Sequence, residues 1–154
     1  MLGSGFIAIA CNTVHLFIGE IRQAVGIPVL SVMEETARVL AADKVKSIGL
    51  LASETTRNFG LYEKPLSDKG ISIVYPENQE AVTRAILCVM GNKLSGEDKR
   101  GLVSIVDGLK EKGAEAAVLG CTELPLAISQ KDSALPLYDT LQILAEASVK
   151  KSIS

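Results

Sequence analysis

Two stretches, SIGLLA at 47–52 and AAVLG at 116–120, have the length of a strand and offer almost no polar face. A strand wetted on one side alternates apolar and polar residues, whereas a strand buried in a parallel sheet is apolar on both faces. The runs FIAIA (6–10), IPVLSV (27–32), ISIVY (71–75) and ALPLYD (134–139) add further strands. Between them lie helical patterns at 15–25, 34–42, 79–90, 97–112 and 140–151, with Gly113 stopping the fourth. The polar turn SETT (53–56) leads into another helix, closed by Ser67–Gly70, and CTELPLAI opens a short one. Strands alternating with helices predict an α/β protein with a parallel sheet.

The chain has 154 residues, 47% of them hydrophobic, which is enough for one ordinary core. Net charge is -2 without blocks of like charge, tryptophan is absent and aromatics are 4%, so a nucleic-acid partner is not expected. No apolar run reaches membrane-spanning length. MLGSGFIAIAC has the apolar character of a leader but no basic start, and it reads as a strand. Cys11, Cys88 and Cys121 are an odd, widely spaced set. That fits neither a disulfide framework nor a zinc site, and it points to a reducing cytoplasm.

Cys11 and Cys121 each fall just past a strand and just before a helix. Ligands gather at that end of a parallel sheet, and a helix start favours an anion, so these thiols are expected to have lowered pKa values. Asn12, Thr13 and Thr122 put donors beside each sulfur. Taken singly, either cysteine is as readily a packing residue, and Cys88 in mid-helix is read as one. Together they suit a metal-free chemistry. A thiolate removes the α-proton from one face of a small acid and a thiol returns a proton to the other, inverting the carbon without pyridoxal phosphate.

ACNTVH (10–15) and GCTELPL (120–126) resemble the two signature segments of the aspartate/glutamate racemase family. GLLASETT (49–56) resembles its middle turn and LPLYDT (135–140) the approach to its last helix. The resemblance implies two Rossmann-like parallel-sheet subdomains with the active site in the cleft between them, and no cofactor. It implies Cys11 and Cys121 as the acid/base pair. Asn12, Thr13, Ser53, Thr56 and Thr122 would bind the α-carboxylate or amino group, with Thr55 in the same turn. Glu123 either joins them or serves the helix start. His15, within CNT-x-H, is read as a capping or supporting residue, since no other ligands for zinc group near it.

Three departures qualify the resemblance. Thr55 stands where glycine is common. Some aspartate racemases carry a lysine that CVMGNKL (88–94) places off register at Lys93, which leaves glutamate or a broader amino-acid substrate open. Family members also begin with a glycine-rich strand-turn and further elements before CNT, so the first subdomain is expected to be incomplete. The expected division is 1–44 with 134–154, carrying Cys11, and 45–133, carrying Cys121. Exposed sheet surface would then favour a homodimer or higher assembly. The alternative is an inactive remnant that binds a small dicarboxylate or a partner chain. Maleate isomerase and hydantoin racemase chemistry lie close by, but the motif set points to the amino-acid branch.

Overall fold

The computed structural model describes residues 5–153; the opening residues of the 1–44 segment and Ser154 lie outside them. Six strands and eight α-helices follow one another as β1 (Ile7–Ala8), α1 (Ile18–Ala24), β2 (Val29–Leu30), α2 (Val32–Ala42), β3 (Ser47–Ala52), α3 (Glu54–Asn58), α4 (Glu63–Ser67), β4 (Ser72–Val74), α5 (Gln79–Met90), α6 (Gly96–Glu111), β5 (Ala116–Gly120), α7 (Leu124–Ala127), β6 (Leu137–Asp139) and α8 (Thr140–Ser152) among the described residues. A 3₁₀ turn, Thr13–Phe17, precedes α1. All strand pairings are parallel: β1 with β2, and β4-β3-β5-β6 in a four-stranded sheet.

The larger sheet is covered on both faces, as its apolar strands demand. Ile48, Leu50 and Ala52 of β3 and Ala116 and Val118 of β5 pack toward α2, α4 and α8, against Met33, Leu40, Leu66 and Leu144. The intervening Leu51, Ala117 and Leu119 face the other way, onto Val82, Leu102, Val106 and Leu109 of α5 and α6. Period-two alternation thus fills two separate apolar layers from a pair of neighbouring strands. Gly49 lets α6 approach: a Cβ there would stand 2.6 Å from Leu109 Cδ1 and 3.0 Å from its Cβ. Gly113, at φ +90, ends the turn after α6 in a conformation that favours glycine.

Three expectations change. FIAIA is not a buried five-residue strand: β1 holds two residues, and Ala8 and Ala10 are exposed. It pairs with β2 in a two-stranded sheet, so burial on both faces does not arise. The first helix begins as 3₁₀ at Thr13 and becomes α-helical at Ile18. The strand of the 134–154 segment, grouped above with the first subdomain, pairs instead with β5 through Ala117–Leu137 and Leu119–Asp139. The helix after it buries Ile143, Leu144 and Ala147. Leu135 and Leu137 of the apolar 134–137 run pack at the edge of the larger sheet, while Ala134 and Pro136 are exposed.

Candidate active site

The carboxyl ends of β3 and β5 adjoin, with Ala52 opposite Gly120, so the turns after them open on the same rim. Ser53 caps α3, its Oγ accepting from the Thr56 backbone N–H at 3.3 Å. The same Oγ donates to Thr56 Oγ1 at 3.1 Å and lies 3.1 Å from Thr13 Oγ1, which is 3.4 Å from Thr56 Oγ1. Three of the expected binding hydroxyls, Thr13, Ser53 and Thr56, therefore form one cluster, and Thr13 brings the Cys11 turn to it. Thr55 is exposed and lies outside this cluster.

Cys121 follows β5 directly and is half-buried. Its Sγ donates to Glu123 Oε2 at 2.9 Å, and Thr122 Oγ1 donates to the same oxygen at 2.9 Å. Burial, then the hydrogen bond to Glu123 and its negative charge, push the Cys121 thiol up to about 12. The nearby Cys11 sulfur adds a smaller push in the same direction. The lowered thiol expected from a helix start does not appear here. The helix after Cys121 has four residues and begins at Leu124, so its dipole is slight, and a carboxylate stands in between. Burial alone would raise Glu123 as well. Hydrogen bonds from Cys121, Thr122 and its own backbone outweigh that and hold the carboxyl below its usual range. Glu123 is thus an ionised acceptor locked onto the thiol.

Cys11 is exposed, between β1 and the 3₁₀ turn. Its carbonyl is held by His15 Nδ1 at 2.8 Å, and the Val32 backbone N–H donates to His15 Nε2 at 3.1 Å. An Nε2 that accepts carries no proton, so the proton sits on Nδ1 and the ring is neutral. Burial lowers the His15 pKa accordingly. The capping role expected of His15 is what its contacts describe: the ring ties the Cys11 turn to the first N–H of α2.

Asn12, expected among the substrate-binding residues, turns its amide into the interior. It is buried, with Oδ1 accepting from the Tyr62 hydroxyl and Nδ2 donating to Thr140 Oγ1 at 3.3 Å. Sequence reasoning missed Tyr62, which the interior brings to Asn12, and Thr36, which stands in reach of Tyr62; Thr140 was visible only as the end of LPLYDT. A tyrosine in GLYEKP gives no sign of burial, because its hydroxyl suits a surface turn equally well. Cys88 lies half-buried in α5, away from these turns. Met90 lies eleven residues along α5 from Gln79, which donates to the Ala52 carbonyl, so the helix end that precedes Lys93 stands roughly 16 Å from the rim.

A parallel α/β sheet whose Cys121 turn and Thr13–Ser53–Thr56 hydroxyl cluster open on one rim has the build of an Asp/Glu-type racemase. The chain belongs to the Asp/Glu/Hydantoin racemase family, whose pattern it matches over residues 2–148. It is 24% identical over 147 residues to the broad specificity amino-acid racemase RacX of Bacillus subtilis, covering 96% of this chain and 64% of that enzyme. It superposes on the crystal structure of a candidate Asp/Glu racemase from Yersinia pestis with a TM-score of 0.91 and 28% identity, covering 99% of this chain and 68% of that one. An aspartate racemase homologue from Pyrococcus horikoshii gives a TM-score of 0.87 at 30% identity, with the same 99% and 68% coverage. Among the described residues no helix is long and apolar enough to cross a membrane.

Proposed function

We propose that this chain inverts the α-carbon of an amino acid, aspartate, glutamate or a broader set, by proton transfer between Cys11 and Cys121 without pyridoxal phosphate. The observation that carries the reading is the Cys121 Sγ–H···Glu123 contact at 2.9 Å, which keeps one of the two sulfurs protonated. A two-base inversion needs one sulfur able to give a proton while the other takes one. In the direction where Cys121 gives its proton to the planar carbon, abstraction falls to Cys11. In the reverse direction the Cys121 thiolate takes the α-proton and the Cys11 thiol gives its proton to the opposite face, with Glu123 Oε2 relaying the Cys121 proton to and from solvent between turnovers. The Thr13, Ser53 and Thr56 hydroxyls can each turn a donor toward the substrate carboxylate as negative charge builds next to it.

The test is exchange of the α-proton in D2O, followed by NMR with L- and D-aspartate, L- and D-glutamate and a panel of other amino acids. Exchange and racemisation are expected together. Cys11→Ser and Cys121→Ser should each reduce racemisation by at least about a hundredfold, the lower bound of a general acid–base contribution. No exchange with any amino acid at high protein concentration would sink the reading. A second reading, binding of a small dicarboxylate without turnover, is favoured by the exposure of Cys11, since an unshielded thiol loses the help of desolvation. It predicts ligand-induced thermal shifts with no exchange.

A further inference from the structure

A buried polar chain runs beneath the two cysteine turns, and the chemistry above does not use it. The Tyr62 hydroxyl donates to Asn12 Oδ1, Asn12 Nδ2 donates to Thr140 Oγ1 at 3.3 Å, and Thr140 Oγ1 donates to the Leu119 carbonyl at 2.9 Å. Thr36 Oγ1, also within reach of the Tyr62 hydroxyl, donates to the Val32 carbonyl at 2.7 Å. Tyr62, Thr36 and Thr140 are no more than 1% exposed, and Asn12 is 5% exposed.

The chain has one direction. Both threonine protons are committed to backbone carbonyls, so Thr140 can only accept from Asn12, and the Tyr62 hydroxyl, with Thr36 and Thr140 also in reach, donates to the Asn12 oxygen. Turning the Asn12 amide over would oppose oxygen to oxygen at Thr140 and place an N–H against the Tyr62 O–H. With all four side chains buried, that mismatch is costly and the amide is held in one orientation. Its two ends are placed to matter. Asn12 is bonded to Cys11, and Leu119 lies two residues before Cys121. The His15 ring fixes the Cys11 carbonyl from the other side. The Cys11 turn is therefore gripped to β5, α8 and the α3–α4 turn through one amide.

We propose that Tyr62 and Thr140 are positioning residues, which through Asn12 set where the Cys11 thiol stands relative to Cys121. The kinetic consequence rests on the racemase reading; the structural one does not.

The test uses Tyr62→Phe, Thr140→Val and the conservative Thr140→Ser in the full chain, read by amide hydrogen exchange and by steady-state kinetics. In Tyr62→Phe and Thr140→Val, the segment 9–17 should exchange at least about tenfold faster while α6 is unchanged, the size expected for one lost buried hydrogen bond. Thr140→Ser, which keeps the hydroxyl, should restore slow exchange in 9–17. With a turned-over amino acid, kcat should fall about tenfold in the two disruptive variants and KM should stay within about twofold, because the substrate-facing hydroxyls are untouched. Exchange that is unchanged, that rises evenly along the chain, or loss of the fold in both disruptive variants makes the cluster a general stabiliser and overturns the proposal. If the unsubstituted protein exchanges no α-proton, the racemase reading fails, and the exchange in segment 9–17 still decides this one.

Discussion

At the scale of single residues, Glu123 decides what Cys121 can do. A thiol raised to about 12 is a proton donor near neutral pH and a poor nucleophile, so Cys121 should resist alkylation until strongly alkaline pH. Replacing the carboxylate by an amide in Glu123→Gln removes the negative charge and leaves the burial. The Cys121 titration should then move down, measured as the pH dependence of iodoacetamide labelling at that residue by mass spectrometry; an unmoved or higher midpoint would refute the role given to Glu123. In turnover, Glu123→Gln should lower kcat/KM by roughly a hundredfold, as removal of a general base does. The loss must be equal for both enantiomers, because a racemisation has an equilibrium constant of one. The primary deuterium isotope effect should grow in the direction where Cys121 abstracts. GCTELPL displayed the thiol and the carboxylate but not their contact. A glutamate just ahead of a helix suits the dipole equally well, and only the backbone turn between Gly120 and Leu124 brings Oε2 under the sulfur.

At the scale of elements, two joints carry the site. One is the β3–α6 contact at Gly49. Gly49→Ala drives a methyl into Leu109, which is 1% exposed, and should cost about 1–3 kcal/mol in urea unfolding, as overpacking of a filled core does. A change of less than about 0.5 kcal/mol would mean that α6 can retreat without loss. The other joint is His15 between the Cys11 turn and α2. Its folded pKa is lowered, so below its ordinary 6.5 the unfolded chain binds the proton more readily than the native one. His15 thus contributes stability that is present above pH 6.5 and lost as pH falls through the lower folded value. The chain has one histidine, so a single imidazole resonance reports this titration. A midpoint at or above 6.5 would contradict the clamp, and His15→Ala should flatten that part of the pH–stability curve. β3, α5 and β5 were legible to within a residue or two, because each is an unbroken apolar or amphipathic run with polar or glycine ends. β1 and the 3₁₀ turn were not. FIAIA has the hydropathy of a buried strand, and local pattern cannot tell how many neighbours a strand will have. The interior cluster of Tyr62, Asn12, Thr36 and Thr140 was equally hidden, since each residue type is common on surfaces.

At the scale of the whole molecule, the larger sheet is closed on both faces, while the region around Cys11 stays open. Val14, Phe17 and Phe59 are exposed, the two phenylalanines at 51% and 61%, and the 3₁₀ turn that carries the first two packs on α3 just before the third. Ala8 and Ala10 of the neighbouring β1 segment are exposed as well. An apolar surface of this kind favours association, and a net charge of -2 opposes it little. A homodimer or larger assembly through this face is expected, measured by light scattering across a concentration series. A monomer at every concentration would rule it out, and Phe17→Asp together with Phe59→Asp should dissociate any assembly that forms. The consequence reaches the chemistry. Val14 adjoins Thr13, and Phe59 lies three residues past Thr56, so a partner seated there would also exclude water from the Thr13–Ser53–Thr56 hydroxyls and from Cys11. Hydrogen bonds to a substrate carboxylate strengthen when water is excluded, so activity per chain should rise with protein concentration over the range in which the assembly forms. Activity per chain that is flat across that transition would mean the exposed face and the catalytic rim are independent.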